Sequence, residues 1–329
     1  MNTAKTILRI ALPVILGGGI LWWMYGETQW EDIRLALNEG MDWWWMLASM
    51  PFCVFSQWLR AVRWKQMLAP LGESPRLRTA TIAIYLSYAS SLIIPRVGEV
   101  LRCGVLKRYD GTRFTPALGT VVTERIVDML TIGLIAVIVF IWQWDGFLLV
   151  AERTGAGIGP IVANFSLTGW LVTILCAAVT VAFILLLAHR LALWTRLKGA
   201  MLGMMNGLTS VRDVPRKWLF ALYSVGIWVS YFLHFYVAFF AFTSTSSIAA
   251  GPAWVAFVVG TFAVLVPTPN GAGPWHFAVK TVLCIYGVAE APAAMFCLIT
   301  HTLQTAFTAL LGVYGVMALA LCTKKQPQT

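Results

Sequence analysis

Charge is scarce in this chain. Asp, Glu, Lys and Arg make up 12% of its 329 residues, while 59% are hydrophobic. Soluble globular domains carry about 25% charged residues, so this chain has roughly half the usual share. With a mean hydropathy of +0.76 and apolar stretches from end to end, no room is left for a separate soluble domain. The bilayer is the main solvent for these side chains.

Acidic residues are scarcer still, 14 against 24 Lys and Arg, for a net charge of +10. The cations cluster between apolar segments instead of covering one face of a foldable soluble unit. That argues against nucleic-acid binding and assigns them to topology and to anionic headgroups. The six cysteines, Cys53, Cys103, Cys176, Cys284, Cys297 and Cys322, form no CxxC pair and fall mostly inside apolar runs. They read as small apolar packing residues. There is no nucleophile elbow, HExxH helix, metal cluster or P-loop, so the expectation is a protein that is not an enzyme and needs no metal or cofactor. The first apolar stretch lacks a signal-peptidase site and ends in Trp22-Trp23-Met24-Tyr25, which predicts a retained span with an aromatic interfacial end.

What the chain does have is spans. Residues 7–25, 43–63, 117–142, 163–188, 218–243 and 292–321 reach the length of about 20 residues that a crossing helix needs. Two apolar stretches fall short. Residues 80–94 stop at Pro95-Arg96, and 253–267 stop at Pro267-Thr268-Pro269-Asn270-Gly271; each is followed by a second short stretch, 97–106 and 275–288.

Loop charge decides how the short stretches run. Lys5 and Arg9 precede the first span, and an acidic connection with Glu27, Glu31, Asp32, Glu39 and Asp42 follows it. Arg60, Arg63, Lys65, Arg76 and Arg78 come next. Cationic loops stay cytoplasmic, so the N-terminus is inside. The basic stretch Arg96–Arg113 would lie outside if 80–94 crossed fully; a re-entrant hairpin keeps it inside. Residues 143–162 then form an outer connection and 189–217 an inner one. A second hairpin must enter from the outer face for 292–321 to deliver Lys324 and Lys325 to the inside. The expected fold is an all-α polytopic membrane protein with six full transmembrane helices and two oppositely oriented re-entrant hairpins, about 80–108 and about 253–288. Broken elements in corresponding, inverted positions point to a transport site between inverted repeats.

The candidate site residues follow from depth and spacing. Arg96, Glu99 and Arg102 recur every third residue and share a helix face, behind a Pro95 that ends the incoming helix. A helix restarting there aims its N-terminus at mid-membrane, where Arg96 would strengthen an anion site; an interfacial helix with snorkelling charges is the other reading. Glu124, Arg125 and Asp128 lie inside an apolar helix, where ionisable groups pair or line a pathway. Arg125 suits either a carboxylate, as a structural ion pair, or a lipid phosphate. Arg60 and Arg63, beside Trp64, read first as positive-inside anchors within an aromatic belt. At the second hairpin, His276 and Lys280 are the only ionisable groups; His276 is either a proton or phosphate contact or a hydrogen-bonded structural residue. His234, His301, Tyr231, Tyr236 and Gln304 read as interhelical hydrogen-bonding groups.

The strings Pro95-Arg96-Val97-Gly98-Glu99-Val100-Leu101-Arg102, Glu124-Arg125-Ile126-Val127-Asp128 and Pro269-Asn270-Gly271-Ala272-Gly273, in this order, resemble the flippase-like membrane domain of lysylphosphatidylglycerol synthases and their stand-alone relatives. Arg60, Arg63 and Trp64 fit as well, and the resemblance covers nearly the whole chain as one domain, 1–329. It implies movement of an anionic phospholipid or polyprenyl-phosphate-linked headgroup between leaflets of a bacterial cytoplasmic membrane, with both termini cytoplasmic. Arg96, Arg102 and Arg125 would hold the phosphate, Glu99 and Asp128 would orient them, and Arg60, Arg63, Asn270, Trp275 and His276 would complete the site. A non-transporting subunit that presents lipid to a partner enzyme of lipid or envelope synthesis is the alternative, and a homo-oligomer is left open. Two departures stand out: Asn270 replaces a family glycine, and His276 takes an acidic position. The soluble aminoacyl-transferase domain of bifunctional members is expected to be absent, since the chain ends at Thr329.

Overall fold

A computed structural model describes residues 18–22, 24–26, 41–94, 97–154, 210–266 and 268–321. Within them the protein is helical. Four helices are long: α1 (Trp43–Leu68), α4 (Phe114–Trp142), α6 (Lys217–Phe239) and α9 (Glu290–Ala320). Between them lie α2 (Leu77–Ser91), α3 (Val97–Asp110), α5 (Trp144–Thr154), α7 (Ala250–Ala263) and α8 (Pro274–Ile285). By length and composition α4, α6 and α9 can each cross a membrane. α1 is 26 residues long, enough to cross, but its tryptophans, Gln57, Arg60 and Arg63 lower its hydropathy. The expected spans 7–25 and 163–188 lie largely or wholly outside the described residues.

The short helices are too short to cross. At 15 residues α2 is about 22 Å long and α8, at 12, about 18 Å, against about 30 Å of hydrocarbon. They form two pairs. In the first, the ends of α2 and α3 are tied by Asp110, whose carboxylate accepts from Arg76 Nε at 2.7 Å and from the Arg76 N–H at 3.0 Å. Near the turn, Gly98 lies against the Ser87 carbonyl so closely that a Cβ would collide with it. In the second pair, Gly260 of α7 faces Val279 and Trp275 of α8. The turn between them holds left-handed backbone at Asn270 (φ 53), Gly271 (φ 72) and Gly273 (φ 91). Asn is one of the few side-chain-bearing residues that enters this region readily, which is how it stands where a glycine was expected. Pro274 then opens α8, where its missing N–H costs nothing.

The long helices show how the two pairs face each other. At the start of α9, Glu290 accepts from Lys280, midway along α8. Further on, His301 and Thr305 meet the α7–α8 turn through Asn270. Gly312 then meets Ala89, near the α2–α3 turn, and Gly315 meets Leu86 and Ile82, further from it. The pairs therefore run in from opposite ends of α9, and their turns reach it about two helical turns apart. α4 meets the pairs in the reverse order: Ala117 and Val121 share a core with Ala80 and Leu106 of the first pair, while Gln143, just past its end, meets Gly251 at the start of α7.

Each pair has its own apolar core. Trp64, Leu68, Ile84 and Leu106 centre the first; Phe235, Phe239, Phe257 and Phe296 centre the second. α1 and α6 lie antiparallel between them, joined at Ser49–His234, Leu59–Gly226 and Arg63–Ser224. The outward faces of α4 and α9 expose Leu130, Leu134, Ile141, Val313 and Met317, which suits contact with lipid. The connection 143–162 begins with helix α5, whose Phe147 packs against the second core.

Candidate functional site

The polar groups of α1, α3 and α4 converge on one buried cluster. Arg60 and Arg63 stand one turn apart on α1, as Glu124 and Asp128 do on the facing side of α4. Arg60 Nη1 donates to Glu124 Oε1 and, at 2.6 Å, to Asp128 Oδ2. Arg63 Nη2 donates to Asp128 Oδ1 at 2.6 Å, and its Nη1 to Ser224 of α6 at 3.2 Å. From α3, Arg102 Nη1 donates to Glu124 Oε2 at 3.0 Å, with its guanidinium 4.7 Å over the Trp64 ring. Trp64 is itself fixed by donation from Nε1 to Thr120 at 2.9 Å.

Burial corrects one expectation. Arg60 is 2% exposed and Arg63 0%, so they are not interfacial anchors in an aromatic belt. Side chains this deep in an apolar protein must be paired, and each of them is. At the edge, Arg125 and Glu99 form a half-exposed pair at 3.3 Å, and Arg125 Nη2 also donates to Glu124 at 3.2 Å. The structural ion pair open to Arg125 is therefore made, with Glu99.

The cluster is not neutral. Arg60, Arg63, Arg102 and Arg125 face Glu99, Glu124 and Asp128, leaving one positive charge uncompensated among the described residues. Two donors of Arg102, Nε and Nη2, are buried with no hydrogen-bond partner. Unsatisfied charged donors are costly to leave in place, and a site of this kind is chemically matched to an oxyanion. Arg96, expected to contribute, lies outside the described residues.

Two residues absent from the sequence-derived set border the cluster. Tyr231 of α6 accepts from Arg60 Nη2 at 3.5 Å and lies 2.6 Å, oxygen to oxygen, from Tyr88 of α2. This links the charges to the α2–α3 turn region. Tyr231 was visible as a polar residue within a span; Tyr88 gave no signal beyond a hydroxyl in a short apolar helix.

Asn270, Trp275 and His276 assemble separately, at the α7–α8 turn. Asn270 Nδ2 donates to Thr305 at 2.7 Å, and His301 Nε2 donates to the Asn270 carbonyl at 3.1 Å. The His276 and His301 rings lie 4.5 Å apart, centroid to centroid, and Trp275 packs on His301 and Phe235. Lys280, which shares a helix face with His276, is drawn off to Glu290 at 2.6 Å. His234 bonds the Ser49 carbonyl at 2.9 Å, the interhelical role expected of it. Cys53, Cys103, Cys284 and Cys297 are free thiols.

The family model described as the lysylphosphatidylglycerol synthase TM region matches residues 10–312. The chain belongs to this family. Glycosyltransferase AglD of Haloferax volcanii is similar over 95 residues at 30% identity, which is 29% of this chain and 15% of that protein. The chain thus corresponds to only a small part of that relative's length. No solved structure matches the chain.

Proposed function

We propose that this member of the lysylphosphatidylglycerol synthase TM family carries an anionic phospholipid or a lipid-linked phosphate headgroup between leaflets, without catalysing a reaction. The observation that carries this reading is the Arg102 guanidinium: buried, within a net-positive cluster, with two donors unspent. A phosphate is the membrane-borne group that fits such donors bidentately. The α2–α3 and α7–α8 pairs act as re-entrant hairpins, hairpin 1 and hairpin 2, that enter from opposite faces. The long–short–short–long order α1–α4 and its recurrence in α6–α9 support an inverted repeat, because α1 and α6, the corresponding helices, lie antiparallel. In such folds half-helix N-termini at the midplane receive the anionic part of the substrate; here those of α3 and α8 do so, while acyl chains stay in the bilayer.

The reading is tested with purified protein in liposomes. Labelled phospholipid or polyprenyl phosphate crosses between leaflets faster than in protein-free vesicles; no movement of either, with or without a pH gradient, overturns it. The similarity to part of a glycosyltransferase favours one second reading, a subunit that presents lipid to a partner glycosyltransferase. That reading predicts a stoichiometric enzyme in the purified material and no translocation by the chain alone.

A further inference from the structure

Hairpin 2 carries a buried imidazole that phosphate binding at Arg102 does not use. His276 lies in the first turn of α8, beside His301 and edge-on to Tyr25, whose ring centroid is 5.9 Å away. Its Nδ1 accepts the Gly273 N–H in a long hydrogen bond of 3.4 Å, so that nitrogen is the one without a proton. Next to it, the His301–Asn270 and Asn270–Thr305 hydrogen bonds hold the turn against α9. The turn itself is left-handed at three positions, one of them a residue with a side chain. Glycine and asparagine adopt such backbone at little cost, so these hydrogen bonds, not the turn's own geometry, fix it on α9.

We infer that His276 is a proton-operated latch: taking up a proton at Nδ1 releases the hairpin 2 turn from α9. Protonation removes the acceptor of the Gly273 N–H. It also puts a cation at the positive end of α8 and against a second imidazole. Among the described residues no carboxylate is placed to balance that charge. On α8 itself, Lys280 is tied to Glu290 and Cys284 lies two turns further on. α9 offers His301 and Cys297, and the 18–26 segment offers Tyr25, whose hydroxyl donates to the Ala294 carbonyl at 3.0 Å. α7 has no titratable side chain. α5, with Asp145, Glu152 and Arg153, meets α8 at its far end, where Gly146 lies against Tyr286. α6 reaches this region through Phe235 on Trp275; its Tyr231 and His234 are engaged with Tyr88 and Ser49, Tyr236 stacks on Phe232, and Lys217 and Tyr223 lie toward its other end.

The latched state therefore binds fewer protons at His276 than the released one, and falling pH shifts the population toward release. This extends the transport reading by giving it a proton dependence, yet its test needs no transport. Amide hydrogen exchange is followed across residues 264–273 of the full chain in lipid nanodiscs at pH 8 and pH 5, corrected for intrinsic chemistry. The wild type exchanges about tenfold faster or more at pH 5, the ratio that one unit of altered proton affinity produces. In His276→Gln, whose side chain can still accept the Gly273 N–H but takes no proton, the change is lost. A wild-type turn with the same corrected exchange at both values overturns the latch, whether or not the variant folds. An equal acid response in His276→Gln overturns it too, by assigning the response to another group.

Discussion

Arg60 donates to Asp128 at 2.6 Å, and both side chains are sealed from solvent. Asp128 also receives Arg63, so one carboxylate bridges two buried cations. Removing one partner of a buried pair costs about 3–5 kcal/mol, because the other is left charged and unpaired. Asp128→Asn is expected to destabilise by about that amount, read as a lower thermal unfolding temperature in detergent. Adding Arg63→Gln should recover part of the loss, so that the double variant is less damaged than the sum of the singles. At the half-exposed rim, Glu99→Gln should cost under about 1 kcal/mol.

Two glycines of α3 should respond in opposite ways. Gly98→Ala drives a Cβ into the Ser87 backbone, which cannot swing aside, whereas Gly104 has nothing within 4 Å of its would-be Cβ. Gly98→Ala is expected to lose about 1–3 kcal/mol, and Gly104→Ala to gain about 0.5–1 kcal/mol from reduced chain freedom. Thermal unfolding of the two single variants decides this.

Arg102→Lys separates structure from transport. Lysine keeps a cation opposite Glu124 but deletes the two unpartnered donors of the guanidinium fork. Losing the stack on Trp64 should lower the unfolding temperature only slightly, whereas labelled phospholipid should translocate about tenfold more slowly, the effect of losing about 1.4 kcal/mol of binding. Wild-type rates in Arg102→Lys would remove this residue from the phosphate site.

Asn270 has two duties, and substitutions divide them. Asn270→Gly keeps the φ of 53 accessible and loses only the bond to Thr305; Asn270→Val loses both. The valine variant should be the less stable of the two by about 1–2 kcal/mol, and Asn270→Ala should couple energetically to Thr305→Ala in a double-mutant cycle.

Much of this arrangement was legible in the sequence. The short helices were found because Pro95 and the Pro267–Pro274 stretch interrupt apolar runs, and proline and glycine act through local backbone geometry that needs no tertiary knowledge. Glu124 and Asp128 were visible for a similar reason: a carboxylate one turn or more inside an apolar helix demands an explanation. The spacing of Arg60 and Arg63 beside Trp64 fits an interfacial belt as well as it fits an interior pair; only packing against α4 shows that they are interior. The Arg102–Trp64 stack, the Tyr88–Tyr231 contact and the Asn270–Thr305 bond join positions far apart in sequence, and no local pattern encodes them. Charge marks 143–162 as a connection but carries no information about secondary structure, so helix α5 is not legible from it.

Lipid movement through this fold requires hairpins that enter from opposite faces, and position-specific labelling tests this most directly. Arg108 near the end of hairpin 1 and Ala289 just past hairpin 2 are both exposed. Each is replaced singly by cysteine on a background without the native thiols, in sealed cells or right-side-out vesicles. With opposed hairpins, a membrane-impermeant maleimide added outside labels position 289 and reaches position 108 only after permeabilisation. Labelling of position 108 from the outside alone, or of both positions from one face, would contradict that arrangement.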